Sequence, residues 1–271
     1  MFCKDQSITF LKSFGYNVVR VPKADIQPLQ ILSLKKGILN PLGELSTLLL
    51  AGNQANLTTI RRDIPTANIS GQKTSELSLG VGIAILGSII GAMGGSKLGL
   101  ETKYSQARTI TFEYADVLSD TVEIAALDQF LADADVNPLS QFVSQMLEAD
   151  DIYVITAVIK SKKFSVEAKK KNGTNVEISI PEIKGIVGGD VSISGQNDTT
   201  TKVTFEGPIP LIFGFQAIRL IYEDGKYTAF KSLDAGGGAL SATSLEPLQN
   251  LSTSDQENHE YLILDGGLTN L

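Results

Sequence analysis

The sequence is poor in the residues that do most enzyme chemistry. Its 271 residues include one cysteine, Cys3, one histidine, His259, and no tryptophan. A single cysteine excludes a disulfide framework and a cysteine-rich zinc site. A single histidine leaves little material for imidazole catalysis or metal binding. Cys3 and His259 stand at opposite ends of the chain without a supporting motif, so they do not read as a nucleophile and its base. Positive charge is also short: 23 Lys+Arg stand against 30 Asp+Glu, a net charge of −7. Phosphate binding needs a basic face, so nucleic acid is not an expected partner. Lys4, Asp5 and Lys12 interrupt any N-terminal apolar run, so no secretion signal is expected and the expected compartment is the cytoplasm. The glycines of GAMGGSK at 91–97 suggest a phosphate loop, but the lysine is misplaced and is followed by Leu98. Asp133, Asp135 and Asn137 start like a calcium loop that lacks its glycine and closing glutamate.

What the sequence does have is alternation. At 42% hydrophobic and 20% charged it has the make-up of a folded protein. Ile8, Leu11 and Phe14 space out a short amphipathic helix over 5–14, ended by Gly15. Further helices are expected over 120–133 and 138–148. Strands are expected over 16–21, 29–34, 152–159, 191–194, 200–205, 209–222 and 227–233. The clearest pattern begins at residue 77. Leu77, Leu79, Val81, Ile83 and Ile85 alternate with serine, glycine and alanine, then Leu98, Leu100, Tyr104, Ile110 and Phe112 alternate with smaller or polar residues. Period 2 with one bulky face predicts two long strands joined by a glycine-rich connection. A second hairpin is expected around Asn172 and Gly173, a turn signal, with Phe164 and Val166 on one limb and Val176, Ile178 and Ile180 on the other.

These patterns admit two kinds of reading. Residues 77–96 carry no charge, about the length of a spanning helix, but the strict alternation and the glycines argue for strands. A membrane-spanning strand needs about 9–11 residues with one apolar face, a length both limbs of the first hairpin reach. The plainer reading is a buried strand and helix in a β-rich module that binds an apolar ligand. An enzyme with a carboxylate site is the weakest alternative. Lys160, Lys162, Lys163, Lys169, Lys170 and Lys171 form either a solvated face or a patch for lipid headgroups, where each basic residue is worth about 1 kcal/mol. Cys3 is either a small packed residue or an acylation site before an amphipathic helix.

Composition shifts at the C-terminal end. DAGGGALSATS at 234–244 reads as a linker. Residues 245–271 contain no Lys or Arg, carry five acids, Glu246, Asp255, Glu257, Glu260 and Asp265, and include one short apolar stretch, Tyr261, Leu262, Ile263 and Leu264. The chain therefore divides into a main part, 1–244, and a short tail, 245–271. The tail stretch is expected to pair with or cover a sheet edge, which otherwise is a template for self-association.

Together, Met-Phe-Cys-Lys at the N-terminus, the Tyr-Asn-Val-Val-Arg strand from Tyr16, the hairpin LSLGVGIAILGSIIGAMGGSKLGLETKY, the Lys-rich second hairpin and the tail after a linker resemble the bacterial gasdermins. The similarity covers nearly the whole chain, without a catalytic signature. It implies an α+β fold with a twisted, mostly antiparallel central sheet and flanking helices, closed by a short C-terminal inhibitory peptide. It implies a latent pore former rather than an enzyme, activated when a caspase-like protease cuts the linker, about 234–254. Leu245, Leu248, Asn250 and Asp255 are the candidate residues before the cut. The freed part is then expected to meet lipid at the cell inner membrane, assemble into a large homo-oligomeric ring and insert its hairpins, killing a phage-infected cell. No cofactor is implied apart from a covalent palmitate on Cys3.

Overall fold

The computed structural model describes residues 6–35, 38–149, 151–223, 225–232 and 263–264. Helix α1 (Gln6–Ser13) ends at Gly15, whose φ of +80° suits glycine. Strands β1 (Asn17–Lys23), β2 (Gln30–Lys35) and β3 (Ile38–Glu44) follow, then a single helical turn α2 (Leu45–Leu48), β4 (Leu49–Leu50) and β5 (Arg61–Pro65). Next come β6 (Leu77–Ser78), helix α3 (Leu79–Ala92), the short α4 (Leu100–Lys103), β7 (Thr109–Ala115) and β8 (Leu118–Thr121). Helix α5 (Ile124–Asp133), β9 (Asp135–Val136) and α6 (Gln141–Glu148) lead into the long β10 (Ile152–Lys169). After β11 (Ile178–Ser179), α7 (Ile180–Val187), β12 (Ser192–Ser194) and β13 (Thr199–Thr200) come the longest strand, β14 (Lys202–Glu223), then β15 (Lys226–Ser232) and the tail strand β16 (Ile263–Leu264). The two strands expected over 200–205 and 209–222 are one.

The antiparallel ladder of β10 and β14 is the spine of a curled sheet. Register shifts near Ala157, Lys160 and Lys163 bend β10 so that its other edge serves three partners in turn. It pairs with β2 at 152–154, β8 at 157–160 and β7 at 163–169. β14 likewise pairs with β12, then β1, then β15 along its length. In the lower half the pairing closes on itself, running from β14 through β1, β16, β3, β2 and β10 back to β14. Leu32, Leu39, Val158 and Phe215 are among the buried side chains of the cluster associated with this ring. Helices α2 and α5 help bury a second cluster that includes Leu48, Leu127, Phe130 and Leu220.

The upper half is built differently. Here β7, the second half of β10 and the first half of β14 form a sheet with one apolar face, and α3, α4 and α7 help cover it. Leu86, Ile89 and Ile90 of α3 are buried against Ile110, Phe112, Phe164 and Phe205. Gly82 lets α3 approach β7 closely, since a Cβ there would lie 2.7 Å from Ile110 Cβ. The expected strand over 77–85 is therefore a helix except for Leu77 and Ser78. The second long limb is a helical turn followed by a strand that starts at Thr109. The physical reason is partner supply. A helix bonds its own backbone, whereas a strand needs a neighbour along its length. A run that is apolar on nearly every side satisfies the burial demand in either form.

Candidate functional site

Among the described residues no group of His, Cys, Asp and Glu is placed to hold a metal ion, and no helix is long and apolar enough to cross a membrane. What the fold brings together is two interrupted ladders. The first joins β6 to β7, with Leu77 opposite Ile110 and Ser78 opposite Thr109. The Leu79 N–H adds a bond of 3.0 Å to the Arg108 carbonyl, and there the ladder stops. Of the predicted bulky face, Leu77, Leu100, Tyr104, Ile110 and Phe112 are buried. Leu79, Ile83 and Ile85 pack partly buried on the same cluster, while Val81 is 40% exposed on α3 and Leu98 is 78% exposed between α3 and α4. Tyr104 has a buried hydroxyl with no hydrogen-bond partner, and burial raises its pKa well above the usual tyrosine value.

The second ladder corrects the expected hairpin. The turn itself forms: Gly173 has φ +82°, Asn172 Oδ1 accepts the Thr174 N–H at 3.1 Å, and the Val176 N–H bonds the Ala168 carbonyl at 2.8 Å. The return limb then leaves. Ile178 lies in β11, where it pairs with Thr200, and Ile180 opens α7 with Pro181 in its first turn. Val176, Ile178 and Ile180 are buried in the upper cluster. Phe164 and Val166 instead face Phe205 and Val203 of β14, with the two phenylalanine rings stacked at 5.2 Å. Sequence reading missed this pairing, yet its signal was present. KFSVE at 163–167 and KVTFE at 202–206 are complementary when run antiparallel, lysine to glutamate, phenylalanine to phenylalanine, serine to threonine and valine to valine. Ser165 Oγ and Thr204 Oγ1 share a hydrogen bond of 2.8 Å on the opposite, polar face. There Lys202 pairs with Glu113 and Lys73 with Glu167, each at 2.9 Å.

The lysines divide. Lys160 is only 9% exposed and does not belong to a solvated face. Its Nζ donates to Asp120 Oδ2 at 2.7 Å and lies 2.9 Å from Asp63 Oδ1. Asp120, expected at a helix start, sits in β8 and also accepts the Asp63 N–H at 2.8 Å. Asp63 has a φ of +58°, a left-handed turn that brings its carboxylate to the lysine. Burial alone lowers the Lys160 pKa, and hydrogen bonds and charge from Asp120 and Asp63 outweigh it, so the net direction is up. Lys162 pairs with Glu206 at 3.2 Å, Lys163 with Asp116 at 3.8 Å, and Lys169 with Glu76. Lys170 and Lys171 flank a cavity of about 280 Å³ together with Arg108 and Lys169.

The tail strand β16 runs parallel to two strands at once. Ile263 is opposite Val18 and Ile38, and Leu264 is opposite Val19 and Leu39. The tail strand supplies the stave between β1 and β3 that closes the lower ring. Cys3, Leu245, Leu248, Asn250, Asp255, Tyr261 and Leu262 lie outside the described residues.

The chain is thus an α+β protein built on a curled, mostly antiparallel sheet with flanking helices. Comparison with known proteins gives the family. The model of the Bacterial Gasdermin Family matches residues 19–226. A gasdermin from a Desulfuromonadales bacterium is 54% identical over 247 residues, covering 91% of this chain and 93% of that protein. A gasdermin from Lysobacter enzymogenes is 40% identical over 236 residues, 87% of each chain. The solved structure of a bacterial gasdermin from Bradyrhizobium tropiciagri superposes with a TM-score of 0.54 at 17% identity, over 85% of this chain and 91% of that one, a likeness of fold. The chain belongs to the bacterial gasdermin family, and its general class is that of pore-forming proteins.

Proposed function

We propose that the chain is held latent by its tail and becomes a membrane pore when the linker is cut. The observation that supports this reading most is the register of the two interrupted ladders. Continued pair by pair, the β6–β7 register sets Val81 opposite Gln106, Ile83 opposite Tyr104 and Ile89 opposite Leu98. The turn then falls at Met93 and Gly94, and Gly94 already has φ +86°. The β10–β14 register likewise sets Val176 opposite Ile193, Ile178 opposite Val191 and Ile180 opposite Gly189, with a turn at Lys184 and Gly185. Bulky apolar residues dominate one face of each zipped hairpin, while the other is largely polar or small. Each limb exceeds the roughly 9–11 residues that a spanning strand needs.

In this reading residues 1–244 are the pore-forming part and residues 245–271 the inhibitor. While tethered, the tail competes for its place between β1 and β3 at an effective concentration near the millimolar range, an advantage that a cut in 234–254 removes. Leu245, Leu248, Asn250 and Asp255 remain the candidate sites for a caspase-like protease. A palmitoyl group on Cys3 and the basic cavity at Arg108, Lys169, Lys170 and Lys171 then hold the freed part to the lipid. In hydrocarbon every backbone group must be bonded, so the stable end state is a closed ring of strands from many copies. The latent protein is cytoplasmic, the pore lies in the inner membrane, and its outcome is death of the infected cell.

The test is dye release from vesicles, using the full chain with a site-specific protease sequence inserted between Ser244 and Asn250. Leakage only after cutting is the expected result. A cut protein that stays monomeric and releases no dye across several lipid compositions overturns the reading.

A further inference from the structure

Positive charge gathers where the β7–β10 ladder ends. The cavity of about 280 Å³ there is lined by Arg108, Lys169, Lys170 and Lys171, with Thr109, Gly173 and one carboxylate, Glu76. Glu76 is already engaged: it accepts from Lys169 Nζ and, at 3.2 Å, from Thr109 Oγ1. Arg108, Lys170 and Lys171 have no ion pair among the described residues. Backbone bonds hold these like charges together. The Arg108 N–H donates to the Lys169 carbonyl at 2.7 Å, the Lys170 N–H to the Thr174 carbonyl at 2.8 Å and the Gly173 N–H to the Lys170 carbonyl at 3.0 Å. Like charges held close repel unless an anion lies between them. Small-molecule pockets begin at roughly 300 Å³, so the cavity is sized for a molecule rather than a bare ion.

We infer that this cavity is a site for a soluble polyvalent phosphate compound and that the compound, once bound, locks the latent shape. The lock rests on the pore-forming reading above; the binding does not. Several phosphate groups in one ligand match three unpaired cations better than a single phosphate does. The cavity is already formed in the uncut chain, so a soluble phosphate meets it before a lipid headgroup, which offers the same chemistry, can do so.

The lock follows from strand geometry. At the Asn172 and Gly173 turn the chain curls, and all four cations line one cavity. Zipped along the β10–β14 register, Lys170 comes opposite Thr199 and Lys171 opposite Asp198. Along the β7–β10 register, Lys170 comes opposite Arg108. Neighbours along a strand point to opposite faces. Arg108 and Lys170 then share the apolar face of Ile110, Phe112, Val166 and Ala168. Lys169 and Lys171 go to the other face, where Asp198 becomes the cross-strand partner of Lys171. No single ligand touches all four in that form. A ligand that bridges them binds the latent shape and not the zipped one, and so favours the latent shape by mass action. The hold on lipid given to this cavity above ends when the hairpins zip.

Inorganic tripolyphosphate is the probe, in magnesium-free buffer of fixed ionic strength, on the full chain carrying the cleavable linker. Calorimetry on the uncut chain is expected to show binding that weakens at least tenfold in Lys170→Gln with Lys171→Gln. Lys170→Arg with Lys171→Arg is expected to retain it, and so is Lys226→Gln with Lys231→Gln, an equal loss of charge on exposed positions of β15. The cut chain is then added to dye-loaded vesicles of phosphatidylethanolamine, phosphatidylglycerol and cardiolipin, and bound protein is measured by flotation. With tripolyphosphate at ten times its dissociation constant, release per bound copy is expected to slow about tenfold in the parent and to stay unchanged in Lys170→Gln with Lys171→Gln. Absence of binding, or equal affinity in the parent and the glutamine variant, overturns the site. A fall in bound protein with unchanged release per bound copy makes the cavity a headgroup site only and overturns the lock. A parent chain that never leaks after cutting overturns the pore-forming reading instead, and calorimetry still decides the site.

Discussion

The lower ring and the upper sheet use the same two strands, β10 and β14, to opposite effect. In the lower half, side-chain period and backbone agree. Val154, Val158, Phe215 and Leu220 sit on strands whose neighbours are strands, and the pairing there runs in a closed circuit from which β15 branches. In the upper half they disagree. A strand-like alternation over 77–85 lies mostly on α3, and the 170–201 segment folds into β11, α7, β12 and β13 beside a ladder it could extend. Conflict between local pattern and global fold lowers the gap between the native arrangement and its rivals. In the proposed pore-forming reading, one half of this molecule stays and the other is rebuilt. The Lys160 ion network lies at the border, where β10 leaves β8 for β7.

The largest expected effect comes from breaking that border. Lys160→Met leaves the buried Asp120 carboxylate with only the half-exposed Arg62 guanidinium, 3.5 Å away, as its cation, so a cost toward the lower end of about 3–5 kcal/mol is expected. Urea unfolding at neutral pH measures it, and adding Asp120→Asn is expected to restore much of the loss. The Lys160 pKa is raised on folding, so this contribution is full below the unfolded value of 10.5 and fades as pH climbs through the folded one. The measured deficit of Lys160→Met is therefore expected to be flat from neutral pH upward and to shrink only in strong alkali.

Next in size is a change that sets the two halves against each other. Gly82→Val puts a side chain where Ile110 already is and favours strand over helix. A loss of about 1–3 kcal/mol in the latent state is expected, read as a lower melting temperature, together with faster dye release after cutting. An equivalent overpacking change in the lower ring, Ala217→Leu, is expected to lower the melting temperature without speeding release.

Ile263→Pro removes one N–H from the stave between β1 and β3. Measurable leakage from the uncut chain is expected, and continued latency would separate the tail's place in the ring from its inhibitory role. The smallest effect is Tyr104→Phe. It deletes a buried hydroxyl without a partner, so a gain of about 1 kcal/mol in the latent state is expected by thermal melting, with slower release.

Several elements are legible in the residues alone. The helix at Ile8, Leu11 and Phe14, the strands from Asn17 and Gln30, and the turn at Asn172 and Gly173 all follow local chemistry and are present. The β-rich α+β class and the family are legible too, through the hairpin pattern and the tail. Other features are not. Asp120 reads as a helix start because acids favour that position, and the β8 ladder with Lys160 opposite Leu118 overrides it. Lys160 reads as exposed because nothing local announces the two carboxylates that bury it. For Phe164 and Val166 the nearest partner in sequence is the obvious one, whereas KVTFE, a longer loop away, matches them better.

By itself, then, the sequence determined periodicity, turns, the scarcity of catalytic side chains and an acidic tail with one apolar stretch, because each of these depends on neighbours within a few residues. Tertiary structure alone decided that residues 79–92 are helical, that Lys160 is an ion-pair centre and that two tail residues stand between β1 and β3. Each of those choices turns on whether a partner from far along the chain occupies the adjoining edge, and a backbone or charge removed from water takes whichever bonded arrangement that partner leaves open.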